Sequence, residues 1–316
     1  SAASDVYKRQ KHSKWVLSVE SGVPWPVNVT RCVESEDADL STIAKDKYVE
    51  RRMKALASPN CLALLALSHC TENIQREIIK QFPEYEDAIA KKLITLLPPQ
   101  KLIVNGVEEK GLTWKDDERM TFIYVGSDFY RKGGRETVQV LADLHKQYDF
   151  RLVLISAMAV DELRYLRTNN DEEEAKRLIE DNKDWIEYYY RLPNAVVLEK
   201  MKAAHVCMLP TWMDTFAYSV LEAQACGTPV ISTSLRALTE INNEEVGWLI
   251  KVPVNRLNNP IHLTKNQQDK FSEMLLEGLR EKVEYVLQNR QEIKEKSKRC
   301  LDKIKKLHSP QDYEKK

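Results

Sequence analysis

Short β-rich runs alternate with amphipathic helical stretches along almost the whole chain, and this alternation predicts a parallel sheet covered by helices. In the first part, WVLSVE (15–20), CLALLAL (61–67) and KLITLL (92–97) read as buried strands. Helices are predicted between them over Lys45–Leu56 and Thr71–Phe82, the second with Thr71 as its N-cap. Pro98-Pro99 ends the third strand. Residues 101–118 lack strong periodicity and carry many charges, which places a domain junction there.

From Met120 onward the alternation is clearer. FIYVG (122–126) is a strand, Gly133–Tyr148 a helix with Val138, Leu141, Ala142 and His145 on one face, and RLVLIS (151–156) the next strand. An acidic helix over 171–182, a strand at IEYYYRL (186–192) and a short helix over Val197–His205 follow. VCMLP (206–210), PVIST (229–233) and GWLI (247–250) bring the count to six strands, with helices over Tyr218–Cys226 and Leu238–Ile241 between them. Phe271, Met274, Leu275, Leu279, Val283 and Val286 then recur at helical spacing, and a last helix runs over 290–307.

Six strands with intervening helices make a complete Rossmann-like domain; about three do not make a second one. The opening residues SAASDVYKRQ resemble a translated sequencing-adapter tail and are set apart as a leader over 1–10. The expectation is therefore a fragment whose true N-terminus is missing. The rest divides into a partial domain over 11–115, a complete one over 116–262, and C-terminal helices with a basic tail over 263–316.

At 43% apolar and 30% charged residues, the chain has the make-up of a soluble enzyme rather than a fibrous or disordered protein. Lys+Arg and Asp+Glu both number 48, so no net field draws it to nucleic acid. Residues 291–316 carry nine Lys/Arg against five Asp/Glu. That local excess reads as a solvated helix face and tail, the alternative being weak peripheral attraction to a membrane of anionic lipids. The cysteines at 32, 61, 70, 207, 226 and 300 form no CxxC pair, and several lie in apolar runs. This suggests buried thiols in a reducing compartment, with neither a disulfide frame nor a metal site. No signal-peptide pattern and no apolar run of spanning length occur, so the expected location is cytoplasmic. The sequon Asn28-Val29-Thr30 is too common a motif to argue for secretion.

The chemistry concentrates in LPTWMDTFAYSVLEAQACGTPVIST (209–233). A buried strand ends at Pro210, a loop crosses 211–216, and a helix is predicted to begin near Ala217. Ligands of open α/β sheets bind outside the carboxyl ends of the strands, where helix N-termini converge. The backbone amides of Thr215, Phe216 and Ala217 would favour a diphosphate there. One turn into the helix, the Glu222 carboxylate would fall about 6–8 Å from the phosphates, within reach of ribose hydroxyls. Ala223, Ala225 and Cys226 permit close packing on the sheet, and Gly227 supplies a left-handed C-terminal cap before Pro229.

Read alone, this grammar fits any doubly wound domain. The segment also resembles the signature of retaining glycosyltransferases of the GT-B fold, glycosyltransferase family 4 (group 1), in which two acidic residues lie eight apart. Here they are Asp214 and Glu222, with Pro210-Thr211 ahead and CGTPVIST behind. The resemblance covers about 119–252 and includes VGSDFYRKGG (125–134), LPNAVVLEKMKAAHVCMLPT (192–211), Leu238-Thr239-Glu240-Ile241 and the closing VGWLI. It implies an α/β fold of the GT-B type, with 116–262 as the nucleotide-sugar donor-binding domain and 11–115 as the acceptor side.

By that resemblance, Gly126, Ser127, Arg131, Lys132, Thr215, Phe216, Ala217 and Glu222 line the donor site. Lys132 is the diphosphate cation, Glu222 binds the donor ribose, and Asp214 sits beside the transferred sugar and the phosphates. The plainer alternatives are a surface lysine beside a turn, a solvated helix-face glutamate and a helix N-cap aspartate. Three departures stand out. Ser127 replaces the family's usual Arg, for which Arg131 is the candidate substitute. Asp214 is one methylene shorter than the usual Glu. Ala217 replaces a frequent Gly, which restricts how closely the backbone approaches the ligand.

The implied reaction moves a sugar from a nucleoside diphosphate sugar to an acceptor hydroxyl with retention of anomeric configuration, using no metal or other cofactor. The acceptor, a glycan, a lipid-linked molecule or a small molecule, would face residues 12–115. Glu20, Ser21 and His69 follow strands there, His69 fitting a satisfied structural role better than a cleft one. The rival readings are a sugar-nucleotide 2-epimerase and a non-catalytic nucleotide-sugar-binding remnant.

Overall fold

A computed structural model of the chain describes residues 13–22, 27–115, 117–158 and 171–314. The suggested leader over 1–10 lies outside them. The chain separates into two compact units, Ser1–Pro98 with Val254–Ile261, and Pro99–Pro253 with His262–Lys316.

The first unit is built on three parallel strands, β1 (Trp15–Val19), β2 (Cys61–Ala66) and β3 (Leu93–Thr95), in the order β1-β2-β3. Among the described residues, four helices accompany them: α1 (Val27–Glu34), α2 (Lys47–Ala57), α3 (His69–Ile79) and α4 (Pro83–Ala90). α1 contains the sequon residues Asn28 and Thr30. A 3₁₀ turn over Ser41–Lys45 precedes α2, whose N-cap Asp46 accepts from the amides of Tyr48 and Val49 at 2.8 and 3.2 Å. α3 starts two residues before the predicted N-cap. Ser68 caps it, accepting from the Thr71 amide at 3.0 Å, while the Thr71 hydroxyl donates to the Glu20 carbonyl at 2.7 Å. The unit's core runs through Val49, Met53, Leu56, Leu64, Ile74, Ile78 and Phe82. Leu257 belongs to it as well, and Asn255 donates to the carbonyls of Val33 and Ser35 at 2.9 and 2.7 Å. The run expected over 116–262 as one domain is thus interrupted by Val254–Ile261.

Among the described residues, the second unit holds six parallel strands: β4 (Met120–Val125), β5 (Phe150–Ile155), β6 (Ile186–Tyr189), β7 (Val206–Leu209), β8 (Val230–Thr233) and β9 (Gly247–Ile250). Their order is β6-β5-β4-β7-β8-β9. All four residues of β7 and of β8 are buried, as strands covered on both faces must be. The crossover helices are α5 (Gly134–Leu144), α6 (Asp171–Glu180), α7 (Asn194–Ala203), α8 (Tyr218–Ala225) and the single turn α9 (Leu238–Ile241). Right-handed connections put α5 and α6 on one face and α7 and α8 on the other, because the chain reverses its direction of travel across the sheet after β6.

Two long helices complete the layers. α10 (Lys265–Gln288) packs on α5 and β9, and α11 (Gln291–Leu307) packs on α8; a last turn, α12, covers Pro310–Tyr313. α10 opens with a capping box, Thr264 with Gln267, and buries Phe271, Leu275, Leu279, Val283 and Val286. The basic excess of α11 is partly internal. Lys296 donates to the Glu244 carbonyl, and Lys303 donates to the carbonyls of Glu240 and Ile241 at 2.7 and 3.1 Å. Among the described residues, no helix is long and apolar enough to cross a membrane.

Candidate functional site

The strand order places the reversal point of the sheet between β4 and β7, which pair directly with Ile123 opposite Cys207. Loops leaving the carboxyl ends of such a pair diverge to opposite faces and leave a crevice between them. The loop after β4 carries Gly126, Ser127, Arg131 and Lys132, and the loop after β7 carries Asp214, Thr215, Phe216 and Ala217.

The first loop is a compact turn. Gly126 is buried and its amide donates to the Ile155 carbonyl at 3.0 Å, while Ser127 is exposed. The Tyr124 hydroxyl donates to the Phe129 carbonyl at 3.2 Å, and the Lys132 amide to the Asp128 carbonyl at 2.9 Å. Gly133 then turns the chain into α5 at φ +74°, where a Cβ would come within 1.9 Å of the Pro210 carbonyl oxygen. Only glycine lets the two loops approach this closely.

Backbone and side-chain bonds join the loops. The Trp212 amide and the Thr211 hydroxyl share the Arg131 carbonyl at 2.8 and 3.0 Å, and the Thr233 hydroxyl donates to the Thr211 carbonyl at 2.8 Å. Trp212 anchors the second loop from below: its indole N–H donates to Glu136 Oε1 at 3.0 Å, and its ring stacks on Phe271 at 4.6 Å. On this frame the Lys132 ammonium forms an ion pair with the Asp214 carboxylate, with the side chains 16% and 8% exposed. Asp214 is therefore the partner of Lys132, and no side-chain cap bond holds the start of α8.

Arg131 has its own partners. Its Nε donates to Asp128 Oδ2 and its Nη1 to the Met213 carbonyl, both at 3.0 Å. The guanidinium thereby braces the two loops against each other. α8 opens at Tyr218, the first residue of the helix predicted over Tyr218–Cys226, with Ala217 as N-cap at φ 67°, ψ 66°. Ala217 holds a backbone shape that glycine adopts freely, and the Val220 amide already donates to its carbonyl at 3.0 Å. Phe216 is buried, its ring centroid 5.0 Å from that of Tyr218, and Thr215 is half-buried. Gly227 ends the segment at φ +66°, in the left-handed cap expected of it.

Glu222 lies on α8, half-buried, and its carboxylate is hydrogen-bonded to the side chain of Asn194, the first residue of α7. Burial raises the carboxyl above the ordinary glutamate value, and the Asn194 bond opposes that rise. The structure thus joins Lys132, Arg131 and Asp214 through one pair of loops and links Glu222 to the next crossover. Thr211 and Asn194, absent from the residues picked out by sequence, hold these groups in place; both fall within the stretches that carried the resemblance. Among the described residues, no group of three or more His, Cys, Asp or Glu side chains is arranged to hold a metal ion.

Comparison with known proteins agrees with this architecture. A protein described as an uncharacterized glycosyltransferase of Methanocaldococcus jannaschii is 25% identical over 242 residues, covering 69% of this chain and 59% of its own length. The chain thus spans about three-fifths of the curated relative it matches. Among solved structures, a sucrose-phosphate synthase from Thermosynechococcus elongatus aligns with a TM-score of 0.60 at 19% identity, over 99% of this chain and 68% of that one. The pneumococcal O-GlcNAc transferase GtfA, solved with UDP and GlcNAc, aligns with a TM-score of 0.63 at 12% identity, over 99% and 53%. These likenesses bear on fold, and the fold is α/β of the GT-B type with Rossmann-like sheets. The family described as Glycosyl transferases group 1 matches residues 108–299, well over half of the sequence. The chain belongs to that family of glycosyltransferases.

Proposed function

We propose that the protein transfers a sugar from a nucleoside diphosphate sugar to an acceptor hydroxyl with retention of anomeric configuration. The observation that carries this reading is the Lys132–Asp214 pair at the reversal point of the sheet. An ammonium has three donors, and Asp214 occupies one of them, leaving two for the diphosphate oxygens. The leaving group is itself an anion, so the protein's main task is to stabilise negative charge as the glycosidic bond breaks. A cation held in place before the reaction does so without reorganising.

In this reading Lys132 contacts the diphosphate, and the loop Thr215, Phe216 and Ala217 lies along it beside Gly126 and Ser127. Arg131 acts by fixing the loops. Asp214 orients Lys132 and accepts from a hydroxyl of the transferred sugar, and Glu222 accepts from the ribose hydroxyls. Family membership supports the reaction class, and the UDP in the pneumococcal transferase supports the donor class. The donor is a substrate, and no cofactor enters the proposal. The acceptor is a glycan, a lipid-linked molecule or a small molecule. All six cysteines are free thiols, which fits a cytoplasmic protein.

Calorimetric titration with UDP-, GDP- and ADP-sugars, followed by a hydrolysis or transfer assay with the product anomer read by NMR, tests the proposal. Binding of one donor and release of its diphosphate are expected. Binding without turnover would instead mark a donor-binding remnant, and epimerised nucleotide sugar without acceptor would mark an epimerase.

A further inference from the structure

At the opposite ends of the two strands that carry the donor loops, the second unit holds a cavity of about 180 Å³. Met120, the first residue of β4, and His205, just before β7, lie on its wall. Trp114 and Ile293 make the rest of that wall apolar. Among the described residues, the lining carries three cations, Lys115, Arg290 and Lys294, and one carboxylate, Glu118.

Glu118 is engaged by its own loop. Its Oε2 accepts from the Thr113 amide, the Thr113 hydroxyl and the Trp114 amide at 3.0, 2.9 and 2.9 Å. His205 adds no charge to the rim, because burial holds its imidazole below the ordinary histidine pKa. Its Nδ1 accepts from the Thr121 amide at 3.1 Å, which leaves the ring proton on Nε2, 3.5 Å from Glu118.

Trp114 is fixed in an unusual way. Its φ of +59° is a left-handed conformation that a large side chain holds only when its surroundings impose it. Here the Glu118 carboxylate grips its amide, and Arg290 donates to the Glu118 carbonyl at 2.9 Å. The His205 ring meets the indole edge-on at 6.4 Å, and Lys294 Nζ stands 6.0 Å from the indole ring. An immobilised aromatic wall therefore stands beside three cations.

We propose that this cavity binds a small amphipathic anion, with an apolar body the size of one ring and a single carboxylate or phosphate group. An apolar cavity of about 150 Å³ accepts benzene, so the volume suits such a body. The ring packs between Trp114, Met120 and Ile293, and the anionic group meets Lys294 and Arg290. The site is distinct from the donor loops and does not depend on their assignment.

Tryptophan fluorescence of the full chain, titrated with benzoate, phenyl phosphate, acetate and benzyl alcohol, tests the inference. Benzoate or phenyl phosphate should give a saturable change that is absent from Trp114→Phe. Acetate and benzyl alcohol each carry half of the required chemistry and should bind about tenfold more weakly. Lys294→Glu should weaken the anion by about tenfold or more, and Lys132→Ala should leave its affinity unchanged. Should Lys294→Glu fail to fold, Lys294→Gln makes the same comparison. No saturable response to either ring-bearing anion would overturn the inference, as would a response that survives loss of Lys294 or disappears in Lys132→Ala.

Discussion

The Lys132 ammonium and the Asp214 carboxylate, 82 residues apart in the chain, form an ion pair across the loops that leave β4 and β7. With the carboxylate 8% exposed, removing its counter-charge leaves an anion largely out of water. Lys132→Ala is expected to cost about 2 kcal/mol of stability, below the range for a fully buried pair because Lys132 keeps some solvent contact. It should also weaken nucleoside diphosphate binding by about a hundredfold. Thermal unfolding and calorimetry read the two effects separately.

Gly133 stands where the loops come closest. The Cβ of Gly133→Ala would meet the Pro210 carbonyl oxygen at 1.9 Å, and the residue's φ is +74°. Relief requires moving the end of β7 away from the turn, and a cost of about 3 kcal/mol is expected. Donor affinity should fall with it. Denaturant unfolding and donor titration of this variant check both.

Ala217 gives the opposite sign. Its left-handed backbone costs an alanine about 1–2 kcal/mol, offset in part by the greater unfolded-chain freedom of glycine. Ala217→Gly should therefore stabilise the protein by a few tenths to about 1 kcal/mol. The denaturant midpoint should rise with the slope unchanged. A β-branched residue at the same position should do the reverse.

Lys110 supplies a pH dependence. It is buried, and its ammonium donates to Thr228 Oγ1 at 2.7 Å and to the Cys226 carbonyl at 3.2 Å. Burial lowers its pKa from 10.5 to about 7, with a smaller lowering from Lys202 and opposing effects from the thiols of Cys226, Cys300 and Cys207. Between those two values the unfolded chain binds the proton more tightly than the folded one, so stability rises with pH across that window. Below the folded value both states are protonated and the slope vanishes. Lys110→Met should flatten the rise, measured as unfolding free energy from pH 7 to 10.

Much of this fold can be read from the sequence, because parallel strands covered on both faces are continuous apolar runs. FIYV, VCML and GWLI mark β4, β7 and β9 without ambiguity. Boundaries were less legible where side chains choose among backbone partners. Thr71 looks like an N-cap, but its hydroxyl bonds Glu20 and Ser68 takes the cap. Helix α4 has no counterpart among the predicted elements, since the helix read over Thr71–Phe82 stops just before it, although Pro83 at its first position signals a new start. The attachment of Leu257 to the first unit has no periodic signature, since it rests on Asn255 bonds to distant carbonyls. At the site, family resemblance picked out Lys132, Asp214 and Glu222 singly. Their pairings, Lys132 with Asp214 and Glu222 with Asn194, depend on strand order, which no local pattern encodes.

The most direct measurement is calorimetric titration of a nucleoside diphosphate sugar into the protein and into Lys132→Ala and Glu222→Ala. Each substitution should reduce affinity by about tenfold or more, and Glu222→Ala should lose more with the nucleotide donor than with inorganic pyrophosphate, which has no ribose. Unchanged donor affinity in both variants, with the fold intact, would contradict a donor site at the ends of β4 and β7.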